Sequence, residues 1–258
     1  MPRVELEALL QSGAHFGHIT RRWNPKMKPY IFMERNGIHI IDLKKTQEML
    51  DSACNAIANI VAQGRKPLFV ATKQQAHEVV EEEAKRCGAF YVTERWLGGM
   101  LTNFTTIRKS VKRLTNIEKM ESDGTFEKIT KKERLFLDRE REKLQGVLAG
   151  VVEMSRLPGL VFVVDTKKEA IAVKEAHRLG IPVAAIVDTN VDPEVIDYPI
   201  PANDDALKSV QLIAKTIADA VIEGSQRAAS QRAEEAMMEG AEHQKEEKEK
   251  HHIERKSE

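Results

Sequence analysis

The segment LVFVVDTKKEAIAVKEAHRLGIPVAAIVDT, residues 160–189, decides the fold. It begins and ends with short apolar runs, residues 160–164 and 181–187, and a helical pattern from Lys168 to Gly180 lies between them. Continuous apolar strands joined through a helix are typical of a parallel sheet whose two faces are both covered. The segment therefore predicts a strand–helix–strand unit of an α/β protein.

The same alternation extends over most of the chain. Three more segments are short, apolar and bounded by turn residues: GIHIID at 37–42, PLFVAT at 67–72 and AFYVT at 89–93. A helical pattern from Thr46 to Gly64 separates the first two. The five strand segments and the helices between them predict an α/β, doubly wound fold with a parallel sheet of about five strands.

Residues 103–157 interrupt the alternation because they contain no strand pattern. Apolar residues recur at helical spacing in the first half of this segment, at Ile107, Val111, Leu114 and Ile117. Thr130 and Glu133 have the spacing of a capping box and would start a second helix. Both helices carry many charges beside a narrow apolar stripe. We therefore predict an inserted antiparallel coiled-coil helical hairpin.

These changes in composition predict the domain organisation. Residues 1–37 form an N-terminal arm and helix, and residues 38–102 and 158–224 form the α/β core. Residues 103–157 are the helical hairpin insertion. Residues 225–258 are dominated by Ala, Glu, Lys, Gln and His and support no core, which predicts a charged tail that is either disordered or a solvated helix.

The formal net charge is zero, but the charges are unevenly distributed along the chain. Residues 1–145 carry 26 Lys and Arg against 19 Asp and Glu, whereas residues 146–258 carry 14 against 21. Because electrostatic fields act over a Debye length of ~8 Å, the first part can face a polyanion. The absence of an apolar run of ~20 residues and of a signal-peptide pattern predicts a cytoplasmic protein with no membrane contact.

The stretch RWLGGMLTNFTTIRKSVKRL, Arg95 to Leu114, combines a glycine turn with a basic helix. Gly98 and Gly99 would let a ligand backbone approach closely, and the free amides that begin the next helix would attract an anion. Four cations follow without an acidic residue before Glu118, namely Arg108, Lys109, Lys112 and Arg113. A mononucleotide does not need a positive track of this length, so the stretch favours a series of RNA phosphates.

The N-terminal arm carries a second basic group on a segment stiffened by prolines. Arg21 and Arg22 precede Trp23, and Lys26 and Lys28 follow it. Cations around an aromatic ring suit phosphate contacts with a base or ribose packed on the ring, although Trp23 could equally anchor a solvated loop to the core. The predicted RNA-binding residues are Arg21, Arg22, Trp23, Lys26, Lys28, Arg95, Trp96, Gly98, Gly99, Arg108, Lys109, Lys112 and Arg113.

Acidic residues follow three strands, where the ligands of doubly wound sheets bind. Asp165, Asp188 and residues 203–205 hold these positions, and we favour helix capping for them because Asp, Asn and Thr are preferred N-cap residues. His15 and His18 add potential metal ligands nearby. The candidate ligands of a Zn²⁺ or Mg²⁺ ion are His18, Asp188 and Asp204. The histidines could instead hydrogen-bond within the fold or contact RNA, and no cofactor is predicted to be required.

No complete nucleotide-binding or catalytic motif is present in the sequence. The chain lacks GxGxxG, GxxxxGK[ST] and GxSxG, and GAHFGHIT at residues 13–20 has neither the glycine spacing nor the lysine of a phosphate loop. Two classes of protein remain: a non-enzymatic RNA-binding component and a nucleotide-dependent α/β enzyme. Salt dependence separates them, because counterion release weakens RNA binding steeply as salt rises.

Three long motifs strongly resemble the bacterial small-subunit ribosomal protein two family, the S-two family. They are HFGHITRRWNPKMKPYIFMERNGIHIIDLKKT, RWLGGMLTNFTTIRKSVKRL and IPVAAIVDTNVDPEVIDYPIPANDDA. The resemblance covers about Val4 to Gly224 in the same order and excludes the tail. One departure is Ala149-Gly150, where the family commonly has paired glycines, and this puts the packing at the hairpin base in doubt.

The resemblance implies a flavodoxin-like parallel sheet with a protruding coiled coil. It also implies a non-enzymatic structural constituent of the small ribosomal subunit, located in the cytoplasm as part of the ribosome. The implied partners are small-subunit ribosomal RNA and neighbouring small-subunit proteins, including ribosomal protein one, whose docking the family supports. The implied RNA contacts are the matching basic positions in the arm, the glycine turn and the hairpin.

Overall fold

The structure, a computed structural model, describes residues 2–124, 126 and 129–257. The helices are α1 (Leu6–Gln11), α2 (Leu43–Ala62), α3 (His77–Cys87), α4 (Phe104–Ser122), α5 (Lys131–Leu148), α6 (Ala170–Arg178) and α7 (Leu207–Ser257). The strands are β1 (Phe16–Ile19), β2 (Ile31–Arg35), β3 (Ile38–Ile41), β4 (Leu68–Val70), β5 (Phe90–Val92), β6 (Val161–Val163), β7 (Val183–Val187) and β8 (Tyr198–Pro201). No helix in the described ranges is long and apolar enough to span a membrane.

Five strands form a parallel sheet in the order β5-β4-β6-β7-β8. Counted along the chain within this sheet, the order is 2-1-3-4-5, which is the flavodoxin-like arrangement. Helices cover both faces of the sheet, as its continuously buried strands require. The prediction of a doubly wound, flavodoxin-like fold is confirmed.

One of the five predicted strands was assigned to the wrong sheet. The GIHIID segment forms β3, which pairs antiparallel with β1 and β2 in a separate three-stranded sheet. The fifth parallel strand is β8, in which Pro199 and Pro201 obscured the strand pattern. Proline is tolerated there because β8 is an edge strand, where a missing N–H need not interrupt the hydrogen bonds between neighbouring strands.

The two faces of the parallel sheet contact different helices. Phe69 and Phe162 point to one face and meet edge to face, with ring centroids 5.2 Å apart, in a cluster that includes residues of α2, α3 and α7. Leu68 and Val161 point to the opposite face, where they pack with residues of α6 and of the hairpin base. This alternation follows from the two-residue period of a strand and places α6 beside the start of α4.

Helices α4 and α5 form the predicted hairpin. Ile117 and Leu137 are buried between them, and Leu148 joins the cluster that lies against the sheet. The side-chain oxygen of Thr130 accepts a hydrogen bond from the backbone N–H of Glu133 at 3.3 Å, so the predicted cap of α5 is confirmed. At the other end of the chain, residues 225–257 continue α7 as helix.

Gly150 determines how closely the hairpin base approaches the sheet. It lies in a short 3₁₀ segment, Ala149–Val151, beside the edge strand β5. A Cβ atom at Gly150 would lie 2.1 Å from the carbonyl oxygen of Tyr91, whereas Ala149 is exposed. The departure from paired glycines therefore falls at the position that has room for a side chain.

Candidate nucleic-acid interface

The glycine turn, residues 98–103, is bound to an acidic side chain of the protein itself. Glu175 of α6 is only 8% exposed, and its Oε1 accepts from the backbone N–H of Gly99 at 2.7 Å and from the indole N–H of Trp96 at 3.2 Å. Its Oε2 accepts from the backbone N–H groups of Leu101 and Thr102, each at 3.0 Å, and from the Thr102 hydroxyl at 3.0 Å. The carboxylate thus has five donors.

This arrangement corrects the reason given for phosphate binding at the turn. Three of the amides expected to attract an external anion donate to Glu175, and the ring of Trp96 is buried rather than open to a base. Burial by itself would raise the pKa of Glu175, but the hydrogen bonds from Thr102, Gly99 and Trp96 lower it below its ordinary value. The turn therefore fastens the start of α4 to α6.

Gly98 and Gly99 have different roles in this turn. Gly99 has a φ of +86°, a left-handed conformation that glycine adopts without strain, and a Cβ atom there would lie 3.0 Å from the Cβ of Asn103. Gly98 is exposed, and no atom lies within 4 Å of the position that its Cβ would occupy. Only Gly99 is required by the backbone of the turn.

The four cations of α4 divide into two pairs. Arg108 donates to the carbonyl oxygens of Val152 and Met154, both at 3.0 Å, so it closes the hairpin base. Arg113 forms a two-pronged ion pair with Glu140 of α5, with its shorter contact at 2.9 Å. Lys109 and Lys112 are exposed and form no ion pair with the residues that the structure describes. The positive track predicted from the sequence thus has two cations available to a ligand.

In the N-terminal arm, the ring of Trp23 packs on the buried ring of His39, with centroids 5.2 Å apart. This favours the alternative in which Trp23 anchors the arm. Lys26 is paired with Asp192 at 2.8 Å and with Glu194 at 2.6 Å. The remaining cations of the predicted set are exposed and have no ion pair within the described ranges: Arg21, Arg22, Lys28 and Arg95.

The strand order reverses between β4 and β6, and the protein's own side chains occupy this position. Glu169 accepts a hydrogen bond from the backbone N–H of Thr72 at 2.8 Å and also contacts the Thr72 hydroxyl. Lys168 donates to the carbonyl oxygen of Thr72 at 2.8 Å. Burial raises the pKa of Glu169 despite these hydrogen bonds. Nucleotides of flavodoxin-like proteins bind at this edge, which here is closed by internal contacts.

The structure brings the three candidate metal ligands together. Atoms of His18, Asp188 and Asp204 that could bind a metal all lie within 4.8 Å of one another. His15 is not part of this group, and His18 lies in a strand rather than a helix, so the paired histidines do not act together. The sequence separation between His18 and Asp188 shows that only the fold could place them side by side.

The side chains of His18, Asp188 and Asp204 point toward a common centre, as metal ligands do. Nδ1 of His18 lies 3.0 Å from Oδ2 of Asp188, yet no hydrogen bond is aligned between them, and this buried oxygen has no other partner in the described chain. The nearby Asp188 carboxylate raises the pKa of His18. Burial, reinforced by the charges of Asp188 and Asp165, raises the pKa of Asp204 to about 7.

Lys73 is the cation that already faces this acidic group. Its Nζ lies 3.0 Å from Oδ1 of Asp204, 2.5 Å from Oδ1 of Asp205 and 3.6 Å from Oδ2 of Asp165. Although burial opposes the charge, Asp205 and Asp204 raise the pKa of Lys73 to about 12. One ammonium group thus neutralises only part of the charge of the surrounding carboxylates.

Helix capping, predicted for the residues after the strands, holds at one of three positions. Oδ1 of Asn203 accepts from the N–H groups of Asp205 and Ala206 immediately before α7. Asp165 closes a turn by accepting from Lys168 at 3.0 Å, but α6 begins later, at Ala170. Asp188 accepts from the N–H of His18 instead of capping a helix, because the loop after β7 leads to β8.

The sequence interpretation missed Glu169, Glu175 and Lys73. A signal for the two glutamates was present, since Glu175 within α6 and Glu169 immediately before it fall at helical spacing with the buried Ala172 and Ala176. An acidic residue at a buried helical position requires donors nearby. No comparable signal marked Lys73, because its acidic partners lie far along the chain.

These features define a class of protein. It is a doubly wound α/β protein with a helical-hairpin insertion and exposed cations on its arm and hairpin, and its own side chains occupy the sheet edge at which flavodoxin-like proteins bind nucleotides. The chain belongs to the ribosomal protein S2 family, whose family model matches residues 9–224. It is similar to proteins named small ribosomal subunit protein uS2. That of Chloroherpeton thalassium is 63% identical over 225 residues, covering 87% of this chain and 90% of the relative.

Two further relatives carry the same name. The protein of Chlorobium phaeobacteroides is 59% identical over 222 residues, which are 86% of this chain and 88% of the relative. That of Cytophaga hutchinsonii is 59% identical over 219 residues, which are 85% of this chain and 86% of the relative. The family assignment made from the three sequence motifs is confirmed.

Proposed function

We propose that the protein is a structural constituent of the small ribosomal subunit, acts in translation and binds small-subunit ribosomal RNA. The observation that carries the proposal is the family match over residues 9–224, supported by the names of the relatives. The proposed location of the protein is the cytoplasm, as part of the small ribosomal subunit. As in the resembling family, the protein also supports the docking of ribosomal protein one on the subunit.

The proposed RNA surface consists of those exposed cations of the predicted set that have no carboxylate partner among the described residues. They are Arg21, Arg22, Lys28, Arg95, Lys109 and Lys112. The other predicted residues support this surface: Gly99, Trp96 and Arg108 hold the hairpin base, and Trp23 holds the arm. Gly98, Lys26 and Arg113 lie beside it, and RNA phosphates would compete with carboxylates for the last two.

Replacing Lys109 and Lys112 by Ala should weaken RNA binding without affecting folding. Phosphate contacts release counterions, so the slope of log K against log salt should become shallower by about 0.7 to 0.9 for each lost contact. The measurement is binding of the full chain to small-subunit ribosomal RNA at several salt concentrations. Incorporation of each variant into small subunits gives a second reading.

The matched control replaces Lys208 and Lys215, two exposed lysines of α7, by Ala. This pair should leave the salt slope unchanged. Arg108→Ala should behave differently from both pairs, because it removes hydrogen bonds to two carbonyl oxygens and so lowers stability. An unchanged slope for the Lys109 and Lys112 variant would exclude the hairpin from the RNA surface.

We also propose that the protein is not an enzyme, against the alternative of a nucleotide-dependent α/β enzyme. Glu169 and Lys168 fill the edge at which such enzymes bind nucleotide, and the donors of the glycine turn are held by Glu175. Purified protein should hydrolyse no nucleotide above a matched blank. Hydrolysis that copurifies with the chain and is lost in Asp188→Ala would refute this proposal.

A Zn²⁺ or Mg²⁺ site at His18, Asp188 and Asp204 is proposed as an additional, structural feature. Zinc ligands at 2.0–2.1 Å in tetrahedral geometry lie about 3.3 Å from one another, near the 3.0 Å between His18 and Asp188. The buried Oδ2 of Asp188, which faces Nδ1 of His18 without an aligned hydrogen bond, supplies a ligand atom. A divalent ion would also balance the carboxylates that Lys73 leaves uncompensated.

Elemental analysis of protein dialysed against a weak chelator should find one ion per chain. His18→Ala should abolish this stoichiometric binding, whereas His15→Ala should retain it because His15 lies outside the group. Added metal should also raise the melting temperature of wild type but not of His18→Ala, since a ligand stabilises the folded state that binds it. Equal metal content in wild type and His18→Ala would contradict the assignment.

A further inference from the structure

A second cleft lies beyond the carboxyl ends of β6 and β7, apart from the filled edge between β4 and β6. It has a volume of about 320 Å³, near the lower end of the range of small-ligand pockets, and the residues lining it come from α6 and the turn before it, the loop after β7 and the arm. Thr166 and Asn190 contribute from the two loops, and Asn24 contributes from the arm. We call it the β6–β7 cleft.

Two polar atoms in the β6–β7 cleft are buried without a partner. Thr166 is 7% exposed, and its hydroxyl has no hydrogen-bond partner among the described residues. The side-chain Oδ1 of Asn190 is also buried and unpartnered within those residues. Buried polar groups in folded proteins are nearly always hydrogen-bonded, because leaving one unpaired is unfavourable. Both atoms belong to residues that line the cleft, and both lack a hydrogen-bond partner among the described residues.

The remaining lining is apolar inside and charged at the rim, to which Asp192, already paired with Lys26, and His177 also contribute. Val173 and Val191 are buried in the wall, and Val195 is exposed at the mouth of the cleft. Lys167 and Lys174 are exposed at the rim and form no ion pair with described residues. An apolar slot with a few polar atoms, beside two ammonium groups, suits a flat heterocycle that carries an anionic group.

We propose that the β6–β7 cleft binds one nucleotide unit. The base lies in the slot beside Val173 and Val191, its edge bonds the Thr166 hydroxyl and Asn190 Oδ1, and its phosphate contacts Lys167 and Lys174. This inference rests on the proposed RNA binding for the source of the nucleotide. Specific recognition of RNA commonly uses such unstacked bases.

The position of the arm supports RNA as the source of this nucleotide. Asn24, which lines the cleft, donates its backbone N–H to the carbonyl oxygen of Thr189 at 2.7 Å. The exposed Arg21 and Arg22 precede it by only a few residues. A strand whose phosphates contact these arginines can therefore continue toward the cleft.

The test uses the full chain and two probes, free nucleoside monophosphates and short single-stranded RNA, with affinity measured for each. Thr166→Val removes the hydroxyl with little change in shape and should weaken binding at the cleft about five- to tenfold, the effect of one lost hydrogen bond. Its melting temperature should be equal to or above that of wild type, because the variant removes a buried hydroxyl without a protein partner. The control is Thr105→Val at an exposed position of α4.

Val195→Trp tests the same cleft by filling it and should abolish binding of both probes. The inference is supported if Thr166→Val and Val195→Trp both weaken the binding of either probe while Thr105→Val binds normally. If only the RNA probe responds, the bound nucleotide belongs to RNA. Equal binding by wild type and both cleft variants overturns the inference. The proposed RNA surface is judged separately, by the salt slope of the Lys109 and Lys112 variant.

Discussion

Glu175→Ala should destabilise the protein by about 3 to 5 kcal/mol, the range for removing one partner from a buried charged network. The substitution leaves the N–H groups of Gly99, Leu101 and Thr102 without their acceptor, and the Trp96 indole loses its acceptor as well. Each unsatisfied buried donor costs about 1 to 3 kcal/mol when no water reaches it. Equilibrium unfolding in urea measures the change in the free energy of unfolding.

The matched control is Glu82→Ala on α3, where the side chain is exposed. It should change the free energy of unfolding by less than about 0.5 kcal/mol, as most surface substitutions do. Glu175→Gln should lie between the two variants, because an amide keeps one acceptor but directs an NH₂ group toward N–H donors. If Glu175→Ala were no more harmful than Glu82→Ala, the carboxylate would not hold the glycine turn.

The contribution of Glu175 should also depend on pH. Its pKa in the folded protein is below the ordinary value of 4.5, because the hydrogen bonds from Thr102, Gly99 and Trp96 outweigh the effect of burial. A group with a lowered folded pKa stabilises the protein fully above the unfolded value and loses this effect as pH falls through the folded value. The difference in stability between wild type and Glu175→Gln should therefore shrink below pH 4.5.

Gly150→Ala should have the second large effect, about 3 kcal/mol or more, at the upper end of the cost of overpacking. Its Cβ would lie 2.1 Å from the carbonyl oxygen of Tyr91 and 2.6 Å from the ring atoms Cδ2 and Cγ. Because the nearest atom belongs to the backbone of β5, the hairpin base would have to move away from the sheet. Thermal unfolding and incorporation into small subunits are the two measurements.

Ala149→Gly provides the control for Gly150→Ala, since it restores the paired glycines at a position where the side chain is exposed. Glycine in place of alanine should cost no more than about 1 kcal/mol there. A Gly150→Ala variant that unfolds at the temperature of Ala149→Gly would mean that the hairpin base has more room than the structure gives it. The comparison separates the close contact at Gly150 from a change at the exposed neighbouring position.

The local patterns of the sequence were sufficient for most of the architecture. The apolar segments at 67–72, 89–93, 160–164 and 181–187 predicted four of the five parallel strands, and helical spacing predicted the hairpin of α4 and α5. These patterns work because the period of the apolar residues reports which face of an element is buried. Together with the three long motifs, they also identified the family.

The sequence patterns did not show which strands pair with one another. The segment at 37–42 was correctly predicted as a strand, but its own period could not tell which sheet it joins. Pro199 and Pro201 concealed β8, since proline usually argues against a strand and is accepted here only because β8 lies at an edge. Strand pairing depends on residues far apart in the chain, so only the folded structure shows it.

The candidate site divides in the same way. From residue type and spacing alone, the sequence determined the basic character of the arm and of α4 and the absence of the usual phosphate-binding motifs. It suggested His18, Asp188 and Asp204 as candidate metal ligands, but only the fold brings these residues together. Tertiary structure alone decided which cations remain exposed, because Glu140 pairs with Arg113 from another helix and Asp192 pairs with Lys26 from a distant loop. It also decided that Glu175 occupies the glycine turn. An electrostatic partner is selected by distance in space, and distance in space does not follow from distance along the chain.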